Sequence, residues 1–506
     1  MPYDVQAKDV SILGQHIKNL KIKMVLLNNN TQPIDILQGD LISGDITISA
    51  TDDIRRSATF TFALKNKSYI ASETGKIWFD KYIDLYLGIL NTKTQQIQYY
   101  PIGLYVFNDN TYTYNSTTNQ IEVKCKDFMY KVESTPLYGT DTYKILAGTI
   151  IRDAIIGAVT QLVGCKKYLV GNVGSEFGTN INNVSGQNYN SVPYDLSFST
   201  SDSVYSIISK LRDLYSGWET FYDEDMFICQ QIPTGTNESI ILDWETVEKK
   251  QLLISESRTN SFDKVKNITQ VFGKQITADR YTATCMNTGS QYNATFTDVT
   301  ALESGKIYAV KLNVANLVNP TLKINSLTVY PIVDTSGVTI PVGKVNGYSA
   351  FKFYNNQFMY LGQYRVCALT VHVSVMPDST KQQYYKDKFN TDNIAYVVNP
   401  DSPYTIEKIG ERIDVKSGSD YDQIYSQDLA SQRGKFENWK TTRMEDSITL
   451  ELQLVPWLSV NKLISYKSKI TNEVNTYIVK NISIKLLDGV MTVDLIRYYP
   501  LHPDIS

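Results

Sequence analysis

Residues 57–64, SATFTFAL, and residues 447–454, SITLELQL, superpose without a gap. Ala58, Phe60, Phe62 and Leu64 in the first run answer Ile448, Leu450, Leu452 and Leu454 in the second. Because side chains alternate across a strand, each run buries one face and wets the other. The segments after the two runs are also alike. A second alternating strand passes through Tyr82, Ile83, Leu85, Tyr86 and Leu87 in one copy and through Leu463, Ile464 and Tyr466 in the other. A long hairpin closes each copy, GLYVF then IEVKCKDFMY in the first, TYIVKNISIKLLDG then VMTVDLIRYY in the second. One small β-module is thus written twice, far apart in the chain, which excludes a solenoid of contiguous repeats. Two equivalent structural roles filled by one polypeptide is the reading that remains.

A chain of 506 residues, 42% of them hydrophobic, has the length of three or four domains and ample material for their cores. Its 36 tyrosines, with abundant Asn, Thr and Ser, favour strands. The 49 basic and 52 acidic side chains nearly cancel, so no global field grips nucleic acid or an anionic membrane. Passage of DNA past the protein is compatible with that balance. Cys125, Cys165, Cys229, Cys285 and Cys367 are odd in number, widely spaced and set among apolar residues. They read as free, reduced core thiols, without CxxC spacing or a disulfide framework. The opening MPYDVQAKDV lacks the apolar run of a signal peptide, and no stretch reaches the roughly 18 apolar residues of a membrane span. Synthesis in a cytoplasm, without stable membrane insertion, is the expectation.

The pattern assigns residues 1–135 to the first module and residues 136–235 to a small α/β domain. In that domain a helix near 145–162 places Ile150, Ile151, Ala154, Ile155, Ala158 and Leu162 on one side. Residues 166–197, rich in Gly, Asn and Ser, read as a long loop. A second helix begins after Ser201 or Asp202, buries Val204, Ile207, Ile208, Leu211 and Leu214, and stops at Gly217. WETFYDEDMFICQQIP then reads as a hairpin with an acidic turn. Residues 275–365 hold short β-runs and turn residues without helical periodicity, and read as an inserted, β-sandwich-like domain. The second module takes residues 236–274 and 366–506, with a connecting helix at 420–433 that carries Tyr421, Ile424, Tyr425 and Leu429 and ends at Gly434. The fold class is therefore mainly β with α+β parts.

The order of these pieces resembles the baseplate or tail hub proteins of tailed bacteriophages. It runs from β-module to α/β unit with SVYSIISKLRDLYSGWETFYDEDMFICQQIP, then SPYTIEKIGERIDV, an amphipathic helix, and SITLELQLVPWLSVNKLISY with its closing hairpin. The resemblance covers the chain outside the insert. It implies that both modules are β-barrels similar to the tail-tube subunit and that the chain is a homotrimer. The partners implied are a tail tube or distal tail protein ring, a central spike or tip protein, and other baseplate proteins, in a virion made in a bacterial cytoplasm. Three chains with two modules each offer six similar faces to a sixfold tube while keeping threefold symmetry towards a spike. DNA is then passing cargo, held back until the tip engages a host. A receptor-binding or cell-wall-degrading tail protein acting through the insert is the alternative. A hub of a phage-derived secretion or bacteriocin particle carries the same signature.

Residues 301–362 resemble a small β-module that recurs in phage tail fibres and receptor-binding proteins. The matching parts are residues 301–311, NPTLKIN around Pro320, YPI at 330–332 and the closing FYNNQFMYLG. That resemblance implies host surface polysaccharide as a partner, with Tyr308, Tyr330, Tyr348 and Tyr354 as candidates to stack on a sugar ring. Packing at a strand edge is the competing role for each.

No catalysis, cofactor or metal is expected. His16, His372 and His502 are isolated, outside HExxH spacing and away from paired cysteines. GVTIPVGK, residues 337–344, has five residues where a phosphate loop needs four, and Val345 follows where Ser or Thr is required. It reads as a turn. Asp52 with Asp53, Asp223 to Asp225, and Glu445 with Asp446 fall at turns or strand starts, where carboxylates stay hydrated, and do not read as a glycosidase pair. Trp218 and Trp457 are expected in core or interface packing, with subunit contact ahead of ligand contact. With YYPLHPDIS standing just past the final hairpin, no peptidase or lysozyme extension is expected.

Overall fold

The computed structural model describes residues 5–15, 20–38, 41–64, 67–137, 143–174, 190–192, 195–215, 217–223, 226–235, 237–418 and 420–500. Most of the regular structure is β, and the chain falls into two compact units. The first comprises Met1–Val173, Tyr194–Phe262 and Glu445–Leu501; the second comprises Gly174–Pro193, Asp263–Met444 and His502–Ser506.

A single thirteen-stranded sheet organises the first unit. The first quoted run lies in the strand Arg56–Ala63, between Leu41–Ser49 and Gln120–Asp127. Beyond Gln120–Asp127 come Gln96–Asn115, Tyr82–Asn91, Leu20–Leu27 and Pro33–Gln38. The second run lies in Glu445–Gln453, between Leu253–Ser261 and Val490–Arg497, followed by Val474–Lys485, Leu463–Lys467 and Ile240–Leu242. Strand by strand the order is the same. Only the last shared step differs in direction, since Leu20–Leu27 runs antiparallel to its neighbour and Ile240–Leu242 parallel.

Even the irregularities repeat. Pairing slips at Ile42 in one copy and at Ile254 in the other, so both isoleucines bulge outward, 42% and 49% exposed. A second bulge interrupts both closing hairpins, at residues 108–111 and at Lys480. The copies also share the sheet. Val474–Lys485 pairs along one edge with Val490–Arg497; its other edge serves Leu463–Lys467 through residues 474–478 and Leu41–Ser49 through residues 481–485. One core runs beneath both, joining Phe60, Ile121 and Val123 to Leu450, Met491 and Val493.

Within the same unit the α/β elements pack their apolar faces on one another. The first helix is Ile151–Gly157, which widens into a π-helical stretch over Ala158–Leu162. Widening rotates the buried stripe: Val159 is buried and Leu162 is exposed, where a continuous α-helix puts Leu162 inside. The second helix is Val204–Arg212, capped by Ser203, one residue beyond the positions expected. Its side chain faces the backbone of Ser206 in a capping box, and Val204, Ile207, Ile208 and Leu211 are buried. Trp218–Asp223 and Met226–Gln231 form the antiparallel hairpin, and Tyr168–Val170 joins it in parallel. Within the expected loop 166–197, residues 175–189, 193 and 194 lie outside the described residues, as do Gly139, Glu224 and Asp225.

In the second unit, a four-stranded mixed sheet runs in the order Ile394–Val398, Arg365–Val373, Ile268–Gln275, Ile413–Lys416. Arg365–Val373 is buried on both faces because helices cover both: Tyr385 of Ser379–Phe389 packs on Leu369 and Val371, and Gln427–Thr441 crosses the same strand. Residues 268–275 and 366–444 thus form an α/β layer together. The connecting helix starts later than its apolar spacing suggests, after Ser426, which accepts a hydrogen bond from the Leu429 N–H at 3.2 Å. Gly434 lies inside it and does not stop it. A Cβ there would stand 2.8 Å from Thr370 Oγ1, so the glycine allows the helix to approach the sheet.

Ile268–Gln275 and Arg365–Val373 end side by side, with Gln275 opposite Arg365. Between those two residues the chain builds an eight-stranded arrangement around Tyr292, Tyr308, Phe351 and Phe358.

Candidate functional site

Two features of the first unit join parts that are remote in sequence. One is the seam between the repeat copies. Ile46 lies opposite Ile484 and Ile48 opposite Ile482, all four 3% exposed or less, while Thr47 and Ser483 face outward between them. Burial of each isoleucine contributes about 1.5–3 kcal/mol, so the seam is held chiefly by apolar contact beneath its ladder.

The other is a buried polar junction. Arg55 and Arg56 stand where the chain enters the strand Arg56–Ala63, and both are buried. Arg55 Nη2 pairs with Glu219 Oε2 on the hairpin, and its guanidinium lies 3.7 Å from the centroid of the Phe221 ring. Asn461 Nδ2 donates to the same Glu219 oxygen; Gln230 Nε2 donates to Oε1 at 2.8 Å, and Lys480 Nζ donates to Asn461 Oδ1 at 3.2 Å. Glu219 therefore ties the first copy, the hairpin and the second copy together. Arg56 reaches the same hairpin, donating to the Tyr222 carbonyl at 2.7 Å and to Asp223 Oδ1 at 2.8 Å. Charges this deep are costly to desolvate unless each is paired, and here each is.

Asp127 completes the junction by accepting from the Arg56 N–H and the Met129 N–H, both at 2.8 Å. Burial pushes its carboxyl up to about 6, against the pull of Arg56 and the two N–H donors. The folded chain therefore holds this proton more tightly than the unfolded chain, whose carboxyl titrates near 3.8. The stability so contributed is fully present below about pH 4 and is lost as pH rises through 6, amounting to about 3 kcal/mol at most. Urea unfolding from pH 4 to pH 7 should show the wild-type chain losing stability relative to Asp127→Asn. Parallel curves would refute the assignment.

None of the junction's arginines or Glu219 was singled out by sequence reasoning. Of the acidic clusters, Asp223 holds Arg56, and Asp53 accepts from the Tyr205 hydroxyl. Asp446 corrects its reading as a hydrated turn residue: it is 3% exposed and takes Arg258 in a two-pronged pair at 2.8 and 2.7 Å. Trp457 packs inside its own chain, its ring centroid 5.6 Å from that of Tyr100, which removes it from subunit contact. All five cysteines are buried and unpaired, and burial raises every thiol above its usual range. His16 and His502 lie outside the described residues; His372 is buried and its imidazole is shifted down by desolvation. Residues 337–344 form a loop with Gly337 and Gly343 at positive φ.

The four candidate tyrosines of the insert do not converge. Tyr308 is 2% exposed and edge-packed on Phe296 and Phe358, so no sugar can reach its face. Tyr330 is half-buried against Phe353 at 5.1 Å, and Tyr354 is exposed at a hairpin end. Tyr348 belongs to a strip that includes Tyr281 and Tyr364, with Tyr281 stacked 6.5 Å from Tyr348 and 5.4 Å from Tyr364, and Lys311 over the Tyr348 ring. Sequence reading passed over Tyr281 and Tyr364 because neither belongs to the matched motifs.

Among the described residues no group of three His, Cys, Asp or Glu side chains is placed to hold a metal ion, and no helix is long and apolar enough to cross a membrane. Residues 401–502 match the model of a family described as a domain of unknown function, DUF5048. No curated protein matches. Among solved structures the chain is similar to the 43 kDa tail protein of prophage MuSo2 from Shewanella oneidensis, at 10% identity over 96% of this chain and 99% of that one, with a TM-score of 0.44. A tail protein from Neisseria meningitidis is similar at 6% identity over 94% and 96%, TM-score 0.46. Prophage tail protein gp18 from Listeria monocytogenes is similar at 8% identity over 94% of each chain, TM-score 0.42.

Proposed function

We propose that this chain is a structural, non-enzymatic subunit of a phage tail tip, a hub in which three copies present six similar modules to a sixfold tube and threefold symmetry to a central spike. One observation carries the reading: two copies of one strand order, bulges included, stand side by side in a single sheet through residues 45–49 and 481–485. A duplicated module whose copies already pair edge to edge through non-equivalent strands is suited to a ring of alternating copies. The order of pieces that resembles tail hub proteins supports the same conclusion. In this role the chain caps the tube, holds DNA back as cargo and opens a passage once the tip engages a host.

The purified chain should sediment as a trimer of its 57.3 kDa mass, and averaged particle images should show six similar lobes around a central opening. A monodisperse monomer, indifferent to salt and concentration, would speak against the hub.

A further inference from the structure

The seam inside the chain is a template for a seam between chains. Through the repeat, every residue of the seam except Asn481, which falls at the bulge of the first copy, has a counterpart. Thr47 lies opposite Ser57 and Thr259 opposite Ser447, which are equivalent positions of the two runs. Ile46 and Arg258 are likewise opposite Ala58 and Ile448. On the other side, Ile482 faces Val493 and Tyr112 faces Val123; Ser483 and Thr113, Ile484 and Tyr114, Lys485 and Asn115 continue in step. The strand Leu41–Ser49 finds its partner within the chain. Its counterpart Leu253–Ser261 ends the sheet and has no further partner among the described strands. The other half of the contact is also open: Gln96–Asn115 pairs with Tyr82–Asn91 only as far as Val106, which leaves residues 112–115 paired with Gln120–Asp127 alone.

We infer that Leu253–Ser261 of one copy of this chain pairs antiparallel with residues 112–115 of a second copy, placing Thr259 opposite Thr113 and Arg258 opposite Tyr114. The inference rests on the ring-forming function proposed for the chain and names the strands and register that close the ring. A nine-residue edge left bare is a hazard that natural sheets otherwise cover or break up, and a second copy covers it. The contact joins two different edges, so it runs head to tail and does not form a twofold dimer; in the threefold hub proposed above it closes as a ring.

Side-chain chemistry fits an edge that is partly wet before assembly: Tyr112 packs on the core and donates to the Tyr69 carbonyl at 3.4 Å, while Tyr114 and Asn260 are exposed. Where the internal seam uses Ile46, Ile48, Ile482 and Ile484, the counterpart positions carry Arg258, Asn260, Tyr112 and Tyr114. Tyr and Arg are favoured at interfaces because each offers apolar area with a polar tip. Tyr114 is 38% exposed, and the Arg258 guanidinium is already fixed by Asp446, ordered to receive a ring.

Disulfide trapping in the full-length chain tests the register. Thr113 and Thr259 are both exposed, and the five native cysteines are buried. Under mild oxidation Thr113→Cys with Thr259→Cys should give at least tenfold more interchain disulfide than either single variant, with covalent trimer as the largest product. Thr113→Cys with Asn260→Cys, one residue out of register and on the opposite face, should link no better than the singles. Trimers in sedimentation without the 113–259 disulfide would overturn the seam while leaving the hub reading intact. Linkage in a single variant would mean a twofold contact and would also overturn it. A monomer with no linkage would defeat both.

Discussion

Glu219→Ala should lower the stability of the first unit by about 3–5 kcal/mol, the cost of leaving a buried charge without its partner. Arg55 is 4% exposed and has Glu219 as its only ion-pair partner among the described residues. Removing the carboxylate also strips an acceptor from Asn461 and another from Gln230. Three segments lose one anchor together. Urea unfolding followed by fluorescence reads the loss, since Trp78, Trp218, Trp244 and Trp457 all lie in this unit. Glu219→Gln should cost nearly as much, because it retains shape and some hydrogen bonding but not the charge. Replacing the pair together, Arg55→Met with Glu219→Leu, should recover most of the loss, as burying two apolar chains avoids desolvating two ions. If the double variant were as unstable as Glu219→Ala, the deficit would come from packing around the hairpin and not from the stranded arginine.

The repeat was legible because alternation on a half-buried strand survives divergence, as Phe60 answering Leu450 shows; only polarity and parity must persist. The flanking strands were less so. LISGDITIS at 41–49 and LISESRTNS at 253–261 share their first three residues and the bulge at the isoleucine, but the second has lost its inward aliphatics to Arg258 and Asn260. Its alternation is therefore erased where a core would have preserved it. Gly434 misled for a different reason: a glycine at a helix end and a glycine at a helix–sheet crossing look alike in one dimension, and only Thr370, remote in sequence, separates them. The polar junction was hidden because Arg55, Arg56 and Glu219 each sit beside strand ends, where charge ordinarily meets water. Two adjacent arginines at a strand entrance, with a glutamate on the buried face of a hairpin strand, were the available signal.

Ile46→Ala and Ile484→Ala should each cost about 2–5 kcal/mol, because each deletes a side chain from a closed core and leaves a cavity. The two residues lie directly opposite each other across the seam, so their losses should not add. The double variant is expected to fall short of the sum by about 0.5–3 kcal/mol, since the second truncation enlarges a hole the first has already opened. Full additivity in urea unfolding would mean that the copies do not meet here, and with that contact would go the template for any seam between chains. Assembly supplies an independent readout. Loosening the internal seam frees one module to turn against the other, and a ring closes only if both contacts around it share one geometry. The double variant should therefore lose the proposed trimer at concentrations where the folded chain still persists. A variant that is less stable yet trimerises as tightly as the wild type would uncouple the two seams and show that the repeat organises the chain without organising the ring.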